Sequence, residues 1–281
     1  MNKTDFMRNY ANIKKIKKGG QKTVYKAQTL LGQNVALKLI YNANDPRVLQ
    51  EIEILTKLDI KNIPKIISSG YIKDDDSDED VLYIVEDFIQ GKSIRDCLNE
   101  GYKFSLRNAY NLLSKLLTIE VNLENNQLLH RDINPNNIML TPDNDIILID
   151  FGLAKKMNGP SITDTNATHG PFTPGYAPNE QIGNKRMEQD VRTDLFQIGV
   201  TLYECCTGYN PFVNKNDTLM DVVLKTATFS PPMLELPGDN NFLFAQLINM
   251  LMAKNSSQRP DSAIKALGYL NAIEKTLDLE E

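Results

Sequence analysis

The stretch HRDINPNNIML occupies residues 130–140. It sets Asp132 five residues ahead of Asn137 and ends in the apolar run Ile138, Met139 and Leu140. Upstream, residues 105–126 place Leu112, Leu113, Leu116 and Ile119 on one helical face, so Asp132 reads as a carboxylate on a loop after a long helix. Downstream, a second apolar run at 146–149 ends in Asp150-Phe151-Gly152, and TPDND turns between the two runs. One short hairpin therefore carries a carboxylate able to act on a hydroxyl, a neutral amide oxygen and a second carboxylate. Asp-Phe-Gly alone would read as a surface turn; the upstream Asp and Asn give it a chemical context.

That context is phosphoryl transfer from ATP. The acceptor must be positioned, the metal held by oxygen and the phosphate charge neutralised. Asn137 and Asp150 are suitable ligands for a hard cation, Mg²⁺ or Mn²⁺.

Bulk properties leave room for this. A chain of 281 residues, 41% hydrophobic and 24% charged, can bury a sizeable core as one large domain or two lobes. A net charge of −5 gives no reason to expect nucleic acid. Cys97, Cys205 and Cys206 are too few for a disulfide framework and suit a reducing, cytoplasmic compartment. No apolar run approaches the ~18 residues of a spanning helix, so no membrane segment is expected.

The front of the chain reads as strands at 13–16, 24–28, 35–41, 66–72 and 82–85, with one helix starting near Asp45-Pro46 and carrying Val48, Ile52, Leu55 and Leu58. The acidic run DDDSDED at 74–80 reads as a solvated hairpin loop, with docking of a basic partner as the alternative. After Gln90-Gly91 the pattern becomes helical, with helices expected near 190–207, 219–226, 242–253 and 262–275. Residues 157–175 read as a surface loop. The fold class is α+β and bilobal: a small β-rich lobe with one key helix, then a larger α-helical lobe, with the cleft between them as the default site.

The separate motifs, in order and at these spacings, resemble the eukaryotic-type Ser/Thr protein kinases, also found in bacteria. The resemblance covers about residues 10–275, and it implies lobes at 1–86 and 92–281 joined by a hinge at 87–91. VALK at 35–38 resembles the third-strand motif, which implies that Ala36 lines the nucleotide site and Lys38 holds the α and β phosphates. Glu51 falls where the helix Glu pairs with that Lys. Asp132 matches the catalytic Asp, and Asn137 and Asp150 match the metal ligands. YIVEDFIQGKSI resembles the hinge, with Glu86 at the gatekeeper position and backbone groups of Asp87 and Ile89 facing adenine. A carboxylate there needs a nearby cation or amide donor, because an unpaired buried charge is costly. Glu180, Arg259 and Asp194 resemble residues that brace the large lobe. Arg131 resembles an Arg that receives a phosphorylated loop residue, with Thr163, Thr165 and Thr168 as candidates. Thr173 stands where a residue positions substrate beside the catalytic Asp. His169 reads as a surface loop residue.

Two departures bear on rate. Aligning Val24 with the last residue of the phosphate loop puts Lys17, Gly19 and Lys22 at the three Gly places, so only the middle Gly survives. Lys flanks lose some close backbone approach but add positive charge over a polyanion. The cluster Lys14, Lys15, Lys17, Lys18 and Lys22 also reads simply as a solvated face. The second departure is Asn134, where Ser/Thr kinases place a Lys that meets the γ-phosphate. An amide donates a hydrogen bond but cannot cancel charge.

The resemblance implies an ATP-dependent protein Ser/Thr kinase, self-phosphorylating and weakened by Asn134, acting on protein hydroxyls and admitting a homodimer in which one copy phosphorylates another. The alternative is a pseudokinase that binds ATP and serves as a regulatory scaffold. A small-molecule kinase of the aminoglycoside type would share Asp132 and Asp150 but gives no reason for Arg131, GYAPNEQ or Arg259.

Overall fold

Alternation of apolar and polar residues drives the front of the chain into strands. A computed structural model describes residues 1–18, 22–41, 52, 56, 60–151, 155–156, 172–183 and 188–279. The chain divides into two compact units, Met1–Gly91 and Lys92–Glu281.

The first unit opens with a short helix α1 (Lys3–Met7) and then five strands: β1 (Tyr10–Lys18), β2 (Lys22–Thr29), β3 (Asn34–Ile40), β4 (Ile66–Lys73) and β5 (Asp80–Asp87). They form an antiparallel sheet in the order β1-β2-β3-β5-β4. The period of two splits β3 between two faces. Val35, Leu37 and Leu39 join Phe6, Ala27, Ile72, Val81 and Val85 in one core. Ile40 packs with Leu82 and Ile84 on the other face. Full burial of such an aliphatic side chain stabilises by roughly 1.5–3 kcal/mol. Lys38 and Glu86 lie on that second face, so a cation and an anion enter an apolar layer. The helix expected from Asp45 falls mostly outside the described residues, although Ile52 and Thr56 are helical.

Helix α1 is too short for a periodic pattern to reveal. Asn2 caps it, and Phe6 packs on the rings of Tyr10 and Tyr83. The acidic run joins β4 to β5 as the exposed hairpin loop expected, and it also meets α1. Lys3 pairs with Asp74 at 3.3 Å, and Thr4 donates through both its N–H and hydroxyl to Asp75.

The second unit contains β6 (Lys92–Ser93), α2 (Ile94–Asn99), α3 (Leu106–Asn125), β7 (Leu128–Leu129), β8 (Ile138–Leu140), β9 (Ile146–Leu148), β10 (Lys155–Lys156), α4 (Asn179–Ile182), α5 (Val191–Thr207), α6 (Leu219–Thr228), α7 (Leu243–Leu251) and α8 (Ala263–Ile273). Helix α5 is buried on nearly all sides and serves as the spine on which α3 and α7 pack. Asp190 caps its N-terminus, and Gly208, at φ 85°, ends it in the left-handed region. The expected helix at 242–253 is shorter because Phe242 itself is left-handed, at φ 56°. The one expected at 262–275 tightens to a 3₁₀ turn after Ile273. Among the described residues no helix is long and apolar enough to cross a membrane.

Candidate active site

Helix α5 fixes the loop that holds Asp132. The Asp194 carboxylate accepts the N–H of His130 at 2.8 Å and of Arg131 at 2.7 Å. One turn on, Gln197 accepts the N–H of Ile133 at 2.7 Å and donates to the Arg131 carbonyl at 2.9 Å. Gln181 donates to the same carbonyl. These bonds hold Arg131 in the left-handed region, at φ 66°, a conformation that costs a non-glycine residue roughly 1–3 kcal/mol. Sequence reasoning found Asp194 but missed Gln197. The signal was present: three residues after Asp194, it must share that face of α5.

The Asp132 carboxylate is held by three side chains. Thr173 donates to Oδ1 at 2.5 Å, Asn134 donates to Oδ1 at 2.9 Å, and Asn137 donates to Oδ2 at 2.7 Å. Burial raises its proton affinity first, and the charge of Asp150 adds to this; the three donors oppose both, and the pKa is pushed up to about 6. The Asn134 oxygen accepts from the N–H and side-chain amide of Asn136, both at 3.0 Å. Asn136 is a second residue that sequence reasoning passed over.

The hairpin of β8 and β9 carries the other predicted ligand. Ile149 donates its N–H to the Asn137 carbonyl at 2.8 Å, which ties the chain just before Asp150 to the loop of Asp132. Asp150 is left-handed, at φ 71°. Phe151 is buried, with its ring 4.5 Å from that of His130.

Within the first unit, strand register gathers most of the residues expected to meet nucleotide. Lys17 pairs with Val24, and Val24 with Lys38, across β1, β2 and β3. Ala36 pairs with Glu86 in the neighbouring row. Lys38 Nζ lies 2.9 Å from a Glu86 oxygen, and each residue is 4% exposed. The carboxylate expected at the gatekeeper position thus has a cation beside it. Lys22 sits opposite Ile40, one row further on. The N–H of Asp87 is used on the Lys65 carbonyl at 3.0 Å, and Ile89 is half-buried. Gly19 and Glu51 lie outside the described residues, as do Thr163, Thr165, Thr168 and His169.

Glu180 and Arg259 form a buried ion pair at 2.6 Å. The guanidinium of Arg259 lies over the Phe196 ring, 4.8 Å from its centre. Arg131 is itself buried.

A probable serine/threonine-protein kinase of Clostridium acetobutylicum is 30% identical over 263 residues, 91% of this chain and 38% of the relative. Serine/threonine-protein kinase PrkC of Bacillus subtilis is 27% identical over 223 residues, covering 77% of this chain and 33% of the relative. Serine/threonine-protein kinase PknL of Mycobacterium tuberculosis is 28% identical over 273 residues, 95% of this chain and 66% of the relative. The chain thus spans only a third to two-fifths of the first two. The protein kinase domain pattern matches residues 10–268, and the chain belongs to that family.

Proposed function

We propose that this chain is an ATP-dependent protein kinase that transfers the γ-phosphate to Ser and Thr hydroxyls, its own loop included, at a reduced rate. The hydrogen bonding of Asp132 carries the reading. Three neutral donors fix its carboxylate without adding a cation, and its raised proton affinity suits a group that orients an acceptor O–H and receives its proton.

The donor set fits a divalent cation. The Asn137 amide nitrogen is engaged by Asp132, leaving its oxygen as the metal-facing end. Asp150 adds a carboxylate. Mg²⁺ or Mn²⁺, when bound, would neutralise phosphate charge. Lys38 would hold the α and β phosphates, with Ala36, Val24 and Glu86 lining its face of the sheet and Lys17 and Lys22 adding positive charge. Asn134 supplies no charge beside the γ-phosphate. Losing one preorganised charge-stabilising group lowers rates by about 10²–10³. Self-phosphorylation would have one copy act on another.

Purified chain incubated with labelled ATP and Mg²⁺ or Mn²⁺, beside an Asp132→Asn variant, tests this. The parent should label itself and the variant should not, while both bind nucleotide. Labelling of the variant at the parent rate would remove Asp132 from the chemistry. Nucleotide binding by the parent with no transfer would support the pseudokinase scaffold instead.

A further inference from the structure

Charge is unevenly distributed along this chain. Residues 6–44 hold eight cations and no carboxylate, whereas the whole chain has a net charge of −5. Six of the eight, Lys14, Lys15, Lys17, Lys18, Lys22 and Lys26, lie on β1 and β2. β1 is one of the two edge strands of the sheet, and every residue from Ala11 to Lys18 is exposed. The register sets Lys14 opposite Lys26, a like-charge pair that opposes strand pairing. Scattered lysines protect a sheet edge from unwanted pairing. That protection does not call for lysines facing each other, or for six cations with no intervening anion.

The same edge exposes aliphatic side chains. Ile13 and Ile16 are exposed on β1. In the turn after β2, Leu30 is 79% and Leu31 97% exposed. The turn is ordered: Thr29 donates to the Gln33 carbonyl and Gly32 to the Thr29 carbonyl, both at 2.9 Å. It lies beside the start of β1, where Thr29 pairs with Tyr10. Two adjacent leucines are therefore held in water on an ordered hairpin tip at the Tyr10 end of β1, with Lys14 and Lys26 the nearest cations on β1 and β2.

We propose that this edge docks on an anionic bilayer surface, with the exposed β1 lysines Lys14, Lys15 and Lys18 among the headgroups and Leu30 and Leu31 at the acyl boundary. Charge complementarity selects an anionic surface, and the leucines select a bilayer. Single-stranded nucleic acid would be gripped by aromatic stacking, and the exposed apolar residues of this edge are aliphatic. Peripheral binding of this kind depends on buried apolar area together with attraction to anionic lipid.

Co-sedimentation with vesicles tests the proposal. The probes are phosphatidylcholine alone and phosphatidylcholine mixed with phosphatidylglycerol. The parent chain should bind only the mixed vesicles, and less as salt rises. Each lysine near an anionic leaflet contributes on the order of fivefold in affinity, so Lys14→Gln with Lys15→Gln should weaken binding by roughly 30-fold. Leu30→Asn with Leu31→Asn keeps the charge and should also weaken binding. All four residues are exposed, so thermal unfolding and self-labelling in solution should stay at parent values. Failure of the parent to bind mixed vesicles would overturn the proposal. So would a leucine variant that binds as the parent does, since charge alone would then suffice. Binding of RNA or polyglutamate in place of vesicles would assign the edge to a different polyanion and also refute the bilayer.

Discussion

Asn134 donates its amide to Asp132 Oδ1 at 2.9 Å, while its own oxygen accepts two hydrogen bonds from Asn136 at 3.0 Å. Both ends of the amide are engaged, so its orientation is fixed. The residue that looks like a missing lysine is thus also part of the support for the proposed catalytic carboxylate. Charge loss and positional gain act through the same side chain, and substitution separates them.

Asn134→Ala removes one of two side-chain donors to Asp132 Oδ1. Turnover should fall by about tenfold, or roughly 1.4 kcal/mol of barrier, with nucleotide affinity nearly unchanged. Steady-state transfer beside a nucleotide titration measures the split. Equal loss in both would mean that the loop itself has been disrupted.

Asn134→Lys adds the family's charge and should raise turnover by about tenfold, because the gain is largest where charge develops in the transition state. The substitution also releases Asn136. A fall in rate would show that the fixed amide matters more to Asp132 than the charge does.

Lys38 and Glu86 form a buried ion pair at 2.9 Å on the apolar face that also holds Ile40 and Ile84. Removing one partner of a buried pair deprives the other of a counter-charge in an apolar layer and destabilises by roughly 3–5 kcal/mol. Glu86→Leu should therefore lower stability by about that much in urea unfolding. Lys38→Met together with Glu86→Leu should recover most of the loss while binding ATP poorly, since a buried pair is often replaceable by apolar residues. Strict additivity of the two single changes would rule out coupling between them.

The five strands were legible because each has a period of two or a β-branched run of adequate length, and the register that unites Lys17, Val24, Ala36, Lys38 and Glu86 follows from their antiparallel pairing. Short elements were not legible. Helix α1 spans five residues and α4 four, too few to display a repeat. The partner of Glu86 was anticipated only as some cation or amide, because sequence distance does not reveal that Lys38 lies on the same face of the next strand. The grip of Gln181 on the Arg131 carbonyl was also hidden, because it stands in the four-residue α4, whereas the face of Gln197 followed from its place three residues after Asp194.

Glu120 gives the last prediction. It is fully buried in α3, within reach of Asp194, and burial first and then the Asp194 charge raise its proton affinity well above that of a free glutamate. Burial pushes the Asp194 pKa up to about 6, but the N–H groups of His130 and Arg131 that it accepts oppose this and favour its ionised form over that of Glu120. Glu120 is thus the member of the pair that keeps a proton, and as an acid it can donate to Asp194. An unfolded Glu releases its proton near pH 4.5. Above that pH the folded chain binds the extra proton, so this group's contribution to stability falls as pH rises. Glu120→Gln can still donate to Asp194 but does not titrate. The stability of the variant relative to the parent should therefore grow with pH above about 4.5, at a limiting slope of about 1.4 kcal/mol per pH unit. Urea unfolding of both proteins at about pH 5, 6 and 7 measures the difference. Parallel stability curves would mean that Glu120 is ionised in the folded protein and that another group neutralises it.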